Sequence, residues 1–384
     1  MDVRIKTLTP LWTGGVAGKV DRIHETGILG SLRWWYEAIV RGLGGKACDP
    51  SQGECRFDAD KYKKSEATDE RQRLRDAGLC DVCQVFGATG WRRRFRLDVH
   101  FAEGEVSDAS IMHTIRLHGR QYSRDKGNKP RTPTWYFRAP SPNSNETRPN
   151  TPKEGSFNIK IQSLDSHFSA EVIAGLIQFI ADWAALGART QMGFGVIELQ
   201  NGRIDTRPLY DWLNPVADSH SCLKLPSLRN IFLARILNKD GKPFKEEDTF
   251  NLKYDLRRLF EKDCVRRFIM GKVENEERIA AKIKMSRPYN DGCEMRVWGW
   301  IPEQADVCQS SGQMGCLVAL PETPEQADVC QSSEGRGKVL VAIHQHLNKN
   351  YSLKAWRELN SSRDTVSPEE GDVKVFLRDL LVIK

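Results

Sequence analysis

"AEVIAGLIQFIADWAALGARTQMGFGVIELQ", residues 170–200, joins an apolar segment of helical period to a short strand through a connection that holds three glycines and one arginine. Ser169 precedes the segment and can cap it, because its hydroxyl accepts a hydrogen bond from a first-turn N–H. A helix-to-strand turn needs one glycine, the residue that enters the left-handed region without steric cost, and Gly187 can fill that role. Gly193 and Gly195 bracket Phe194 and are left without a capping duty. Two readings follow: a bulge that bends the chain, or a loop that a ligand approaches closely.

Outward from this stretch, "DVRIKTLTPLW" (2–12) reads as a strand and "SLRWWYEAIVRGLGG" (31–45) as a helix. Leu32, Trp35, Ile39 and Leu43 share one face of that helix, and Arg33, Glu37 and Arg41 another. "RFRLDVHFAE" (94–103) alternates, with Phe95, Leu97, Val99 and Phe101 on one side and Arg94, Arg96, Asp98 and His100 on the other, and "GSFNIKIQSL" (155–164) does the same. The order strand, helix, two strands, helix, strand is that of a ferredoxin-like βαββαβ unit.

The second half repeats it. "SLRNIFLARIL" (227–237) is a strand, and a helix after "FKEEDTF" (244–250) carries Leu252, Leu256, Leu259, Phe260, Cys264 and Phe268. "IAAKIKMSRPY" (279–289) and "CEMRVWGWIP" (293–302) supply two strands, "KVLVAIHQHL" (338–347) a helix, and "DVKVFLRDLLVIK" (372–384) the closing strand. The expected architecture is α+β: tandem ferredoxin-like (RRM-like) domains, 1–213 and 227–384, with long loop insertions. The linker "NPVADSHSCLKLP" (214–226) is rich in turn formers. Residues 120–155, loaded with Pro, Asn, Thr and Arg, read as a long loop. "PEQADVCQSS" occurs at 302–311 and again at 324–333, too short for a solenoid unit, and reads as a duplication within a tolerant loop.

At 384 residues the chain exceeds the usual size of one core, and 39% hydrophobic with 28% charged residues describes a globular protein, not a disordered one. The N-terminus lacks the apolar run of a signal peptide, and Gln178 and Asp182 break the most apolar stretch, so a cytoplasmic protein without a membrane partner is expected. The net charge of +7 favours polyanions. Arginines stand beside aromatics in "WRRRFR" (91–96, with Arg92, Arg93 and Arg94), in residues 120–131, and in "YDLRRLFEKDCVRRF" (254–268, with Arg257 and Arg258). Nucleic-acid surfaces look like this, and so does a solvated face.

Of ten cysteines, Cys48 and Cys55 are separated by six residues, while Cys80 and Cys83 form a C-x2-C pair. Such a pair is half of a structural zinc site, since two thiolates can share one tetrahedral ion; four packed reduced thiols are the other reading. Enzyme signatures are scarce. "GLGGKA" (42–47) lacks the first glycine and the Ser or Thr of a P-loop, and neither H-E-x-x-H nor G-x-S-x-G occurs. His344 and His346 would point to different faces of a helix.

"TPLWTGG" (9–15), "ETGILGSLRWWYEAIVRGLGG" (25–45), "CDVCQVFGATGWRRRFRL" (80–97) and "GARTQMGFGV" (187–196) together resemble the RAMP proteins of type III-B CRISPR systems, the Cmr effector subunits among them. The resemblance thins after residue 200, where "SRPYNDGCEMRVWGWIP" (286–302) is the best trace. It implies two ferredoxin-like domains, a non-catalytic place in an antiviral ribonucleoprotein beside other RAMP subunits, and contact with crRNA or target RNA near the crRNA 3′ end. With the basic clusters, it gives the expected RNA-contacting set Arg33, Arg41, Arg92, Arg93, Arg94, Arg189, Gly193, Phe194, Gly195, Arg257, Arg258 and Arg287. No cofactor is required by this reading, beyond the structural zinc that Cys48, Cys55, Cys80 and Cys83 could hold. Some relatives cut RNA without metal through a histidine near the first strand–helix connection. His24 stands there, so a ribonuclease that processes crRNA precursors, with His24 as general base, is the alternative.

Overall fold

The computed structural model describes residues 1–15, 20–49, 55–109, 114–117, 119–120, 134–136, 151–216, 225–260, 263–274, 277–302 and 333–383. The duplicated decapeptide, and residues 121–131 of the second basic cluster, lie outside the described residues apart from Pro302 and Ser333 at the duplication's edges.

The first unit runs β1 (Asp2–Thr7), α1 (Glu25–Leu43), β2 (Phe95–His100), β3 (Lys153–Ser163), α2 (Ala170–Trp183) and β4 (Ile197–Leu199). β1 lies centrally, antiparallel to both neighbours: Ile5 stands opposite Phe157 on β3 and Leu199 on β4. β2 pairs with the far side of β3, Leu97 opposite Ile161. The spatial order, second, third, first, fourth, accords with the ferredoxin-like plan. Alternation puts Val3, Ile5, Phe95, Leu97, Phe157, Ile159 and Ile161 into the core, where Ile28, Leu32, Trp35 and Ile39 of α1 meet Val172, Leu176 and Phe179 of α2. α1 begins earlier than residue 31, with His24 at its N-cap, and stops at Gly44, whose φ of 90° provides the left-handed cap. Ser169 caps α2 as expected, accepting from the Glu171 N–H at 3.1 Å.

The second unit runs β5 (Ile231–Asn238), α3 (Glu246–Arg258), β6 (Ile283–Met285), β7 (Glu294–Trp300), α4 (Ser333–Asn350) and β8 (Tyr351–Arg357), with sheet order β6-β7-β5-β8. The closing strand is therefore 351–357, not 372–384. The latter segment holds a helix, α5 (Val373–Leu380), capped by Asp372, which accepts from the Lys374 N–H at 2.8 Å. Val373, Phe376, Leu377 and Leu380 recur at helical spacing and bury themselves in the core of the first unit, not the second. There the Trp183 indole donates to the Leu380 carbonyl at 3.0 Å, and the Thr206 hydroxyl to the Leu381 carbonyl at 2.8 Å.

β5 is apolar on both faces because each face has a partner. Phe232, Ala234 and Ile236 turn to the second unit's own helices, whereas Ile231 and Leu233 join the first core. Arg296 of β7 crosses the same boundary: its guanidinium donates to the Ala184 carbonyl at 2.9 Å and so satisfies an orphan acceptor at the end of α2. Among the described residues no helix is long and apolar enough to cross a membrane.

Candidate nucleic-acid interface

The glycine connection after α2 is where the two units touch most closely. α2 ends at Trp183 with Ala184 at its C-cap, so Gly187 is no helix cap. Instead its φ of 81° presses it against the end of the first strand region, where an added Cβ would lie 2.5 Å from the Trp12 carbonyl oxygen. A Cβ on Gly195, at φ 91°, would lie 1.9 Å from the Leu186 carbonyl oxygen, and one on Gly193, at φ 90°, 2.6 Å from the Arg287 nitrogen. The Arg287 N–H donates to the Gly193 carbonyl at 3.0 Å, and Gly195 donates to the Pro10 carbonyl at 2.9 Å. The backbone that comes close to Gly193 and Gly195 is thus the protein's own. Phe194 is fully buried between Trp12, 5.4 Å away between ring centroids, and the Arg287 guanidinium, 4.5 Å from its ring. Gly193, Gly195, Phe194 and Arg287 form a buried joint between the two units, not an exposed edge. Arg287 is buried and pairs with Glu246.

Other expected contacts are likewise absorbed by the fold. Arg41 is 4% exposed and donates to Glu37 at 3.0 Å, to the Cys48 carbonyl at 2.8 Å and to the Pro226 carbonyl at 3.2 Å. Arg94 is buried, donating to the Gln84 carbonyl and pairing with Glu70 and Asp165. Arg33 is half-buried and spends its donors on Glu37, the Gly87 carbonyl and the Cys83 sulfur. The polar face of α1 read from spacing, with Arg33 and Arg41, and the polar side of the 94–103 stretch at Arg94 are covered by other segments.

What stays at the surface is a smaller set. Arg189 is exposed, held in the left-handed region at φ 54°, with its guanidinium carbon 3.8 Å from the Trp12 ring centroid. Partial burial against the indole lowers its pKa, which leaves an arginine fully charged. Arg92 is exposed and touches the Leu164 carbonyl at 3.2 Å; Arg93 lies half-buried, 5.8 Å from the Phe95 ring. On α3, Lys253 reaches the loop, donating to the Gln191 carbonyl at 2.9 Å, and burial lowers its pKa to about 8. Arg257 follows one turn later on that side, next to exposed Arg258. Burial lowers the pKa of Arg257, and Arg267 on the helix Asp263–Met270 lowers it further, which marks a concentration of like charge. Arg120 is paired to Asp255 at 2.7 Å.

Beside the loop lies a cavity of about 280 Å³. The first turns of α1 supply Thr26, Ser31 and Trp34, the glycine loop supplies Thr190, and β6 of the second unit supplies Lys284 and its neighbour β7 Trp298. The Lys284 ammonium lies 4.6 Å from the Trp34 ring centroid, with no hydrogen-bond acceptor among the described residues. Desolvation lowers its pKa to about 8. A cation held over an aromatic face, with no counter-ion among the described residues, can receive an anion. Lys284 and Trp34 escape a reading of the sequence because neither sits in an arginine cluster. The signal that could have found them is the aromatic pair Trp34–Trp35, only one of which the core needs: Trp35 is 3% exposed, whereas Trp34 stands half-buried.

Two further groups assemble. Cys48, Cys55, Cys80 and Cys83 come together with all four sulfurs within 4.8 Å of one another. His24 Nε2 meets Asp21 Oδ1 at 2.6 Å, and the ring packs beside Gly15. Neighbouring Arg22 and Glu25 are paired with each other at 3.0 Å.

The RAMP superfamily model matches residues 4–198, and the chain belongs to that superfamily. No curated protein matches it. Among solved structures it is similar to Cmr1 from Pyrococcus furiosus in its apo form, at 15% identity over 79% of this chain and 88% of that one, with a TM-score of 0.37. A chain of the type III-B Cmr-beta complex bound to cognate target RNA and AMPPnP is 12% identical over 80% and 96%, with a TM-score of 0.36. Cmr6 from Pyrococcus furiosus is 15% identical over 52% and 96%, with a TM-score of 0.23.

Proposed function

We propose that the protein is a non-catalytic, RNA-binding RAMP subunit of a type III-B CRISPR ribonucleoprotein in antiviral defence, working in the cytoplasm beside other RAMP subunits. Its RNA is crRNA or target RNA near the crRNA 3′ end. One observation carries the RNA reading: Lys284 lies over Trp34 with no acceptor among the described residues, in a groove edged by the loop that holds Arg189 over Trp12. Arg189 over Trp12 in the first unit and Lys284 of the second unit over Trp34 of the first fit a single strand, whose phosphates meet the cations and whose bases or sugars meet the half-buried Trp34 ring. The RNA-contacting set is accordingly redrawn around Arg189, Lys284, Arg92, Arg93, Arg257 and Arg258, with Trp34 as the stacking surface.

Filter binding of single-stranded RNA at several salt concentrations tests this. Lys284→Met with Arg189→Ala should weaken binding and flatten its salt dependence, by about one unit of slope for each phosphate that is no longer neutralised. Unchanged affinity and slope in a folded double variant would remove the groove as an RNA path.

The His24–Asp21 contact favours a second reading, because a carboxylate can orient an imidazole as general base. Incubation with repeat RNA in EDTA separates the two: cleavage that disappears in His24→Ala supports a metal-independent ribonuclease, and binding without cleavage supports the subunit.

A further inference from the structure

We infer that Cys48, Cys55, Cys80 and Cys83 bind one structural zinc ion, a site that stands independently of the RNA reading. Cys48 Sγ lies 3.2 Å from Cys55 Sγ, 3.5 Å from Cys80 Sγ and 3.4 Å from Cys83 Sγ. Thiolates about 2.3 Å from one tetrahedral ion stand about 3.8 Å from each other, so four sulfurs gathered within 4.8 Å need only small adjustments to share a centre. Disulfides do not account for this arrangement. They join sulfurs two by two at about 2.05 Å, whereas Cys48 is equally near three partners. An iron–sulfur cluster would hold its thiolates farther apart than a single ion does.

The surroundings suit a thiolate centre. The Cys83 N–H points at Cys80 Sγ and the Cys80 N–H at Cys55 Sγ, both at 3.4 Å, so the backbone offers donors to sulfur acceptors. Arg33 adds a third, its guanidinium 3.2 Å from Cys83 Sγ. Four thiolates and one divalent cation leave a net negative charge, and Arg33 stands where that charge would be. This gives Arg33 a duty that its place on α1 did not reveal. Arg41 steadies the opposite side by binding the Cys48 carbonyl, and Glu37 links the two arginines. The ion would pin Cys48, Cys55 and residues 80–83 against the second half of α1. Fragments with little apolar core of their own, such as the helix Ala59–Lys64 with no buried residue, would gain their order from it.

The test is metal analysis of the full chain purified under reducing conditions from zinc-supplemented medium. About one zinc per chain is expected, released by a mercurial thiol reagent together with the cysteine thiols. Cobalt exchange should give the intense visible bands and thiolate charge-transfer absorption of a tetrahedral sulfur site. Cys80→Ser and Cys83→Ser should each lose the metal, and Cys293→Ser, at an exposed cysteine outside the cluster, should keep it. Should the cluster variants fail to fold, the wild-type stoichiometry and cobalt spectrum decide alone. Wild-type protein free of zinc, protein carrying iron in its place, or a mapped disulfide among these four cysteines would overturn the assignment.

Discussion

Arg287 and Phe194 belong to different units, and the guanidinium carbon of Arg287 lies 4.5 Å from the Phe194 ring centroid. The same two segments exchange a backbone hydrogen bond, Arg287 N–H to the Gly193 carbonyl. The glycine-rich connection is therefore a joint between the units, and the RNA edge proposed for it divides its residues by which of these they would serve.

Gly195→Ala should be among the most damaging substitutions in the chain. Its methyl would fall 1.9 Å from the Leu186 carbonyl oxygen, at a φ of 91° that side chains rarely adopt. A loss of about 3 kcal/mol or more is expected in denaturant melts. RNA affinity of the fraction that folds should be unchanged; a stable Gly195→Ala protein with weakened RNA binding would return the glycine to the RNA surface.

Lys284 carries a pH signature. Its pKa of about 8 lies below the ordinary 10.5, so between these values the unfolded chain binds more protons than the folded one and stability rises with pH. Below about pH 8 the charge is carried in a half-buried site against the cost of its desolvation. Lys284→Met should accordingly raise Tm at pH 7 while lowering RNA affinity, and it should abolish a fall in wild-type affinity as pH rises through about 8. Lys253 titrates in the same range, so the comparison of profiles with and without Lys284 is the measurement. Parallel profiles would show that Lys284 does not meet RNA.

Arg92 and Arg94 are neighbours in sequence with opposite duties. Arg94→Ala strands Glu70 and Asp165. Breaking a fully buried pair costs about 3–5 kcal/mol, and since the Glu70 side chain is 38% exposed the loss here should be nearer 2 kcal/mol. Arg92→Ala should change stability by less than about 0.5 kcal/mol and act on RNA binding instead. Equal thermal melts for the two variants would contradict this division.

Phe376→Ala should destabilise the first unit by about 3 kcal/mol or more, because the ring is fully buried in that core. Hydrogen exchange should then show β1 and α2 opening more readily than β5. Protection that falls chiefly in the second sheet would mean that the C-terminal helix belongs with the second unit after all.

The alternation of Phe95 and Leu97, the amphipathic spacing of α1 and the Ser169 cap are all legible in the sequence, since each rests on neighbours along the chain. Residues 372–384 mislead because Val373, Val375 and Leu377 alternate like a strand while Val373, Phe376, Leu377 and Leu380 recur like a helix, and only the burial decides. The true strand, "YSLKAWR", is inconspicuous because it is short and begins at Tyr351 directly after Asn350, the last residue of α4, with no intervening turn to mark it. For the site, the presence of the glycine loop is readable, but its neighbour is not. Whether phosphate or Arg287 lies against Gly193 depends on how the second unit docks, some 90 residues downstream (287 − 193 = 94). Arg41 and Arg94 share that lesson: charge is visible in a sequence, whereas the carbonyls and carboxylates that consume it are not.

The pairing of Ile5 with both Phe157 and Leu199 also has a meaning for how the chain is made. Ile5 and Leu199 are 194 residues apart (199 − 5), which a ribosome adding about 5–20 residues per second needs roughly 10–40 s to cover. The first neighbour of β1, the strand that carries Phe157, is complete only after about four-fifths of that interval (157 − 5 = 152 residues), and until then the central strand has no permanent partner, with Val3 and Ile5 still unsheltered. An open apolar strand is a template for pairing with other chains. Newly made protein is therefore most vulnerable before its second hundred residues emerge, and slower production at low temperature, or a chaperone that holds the N-terminal segment, should raise the soluble yield.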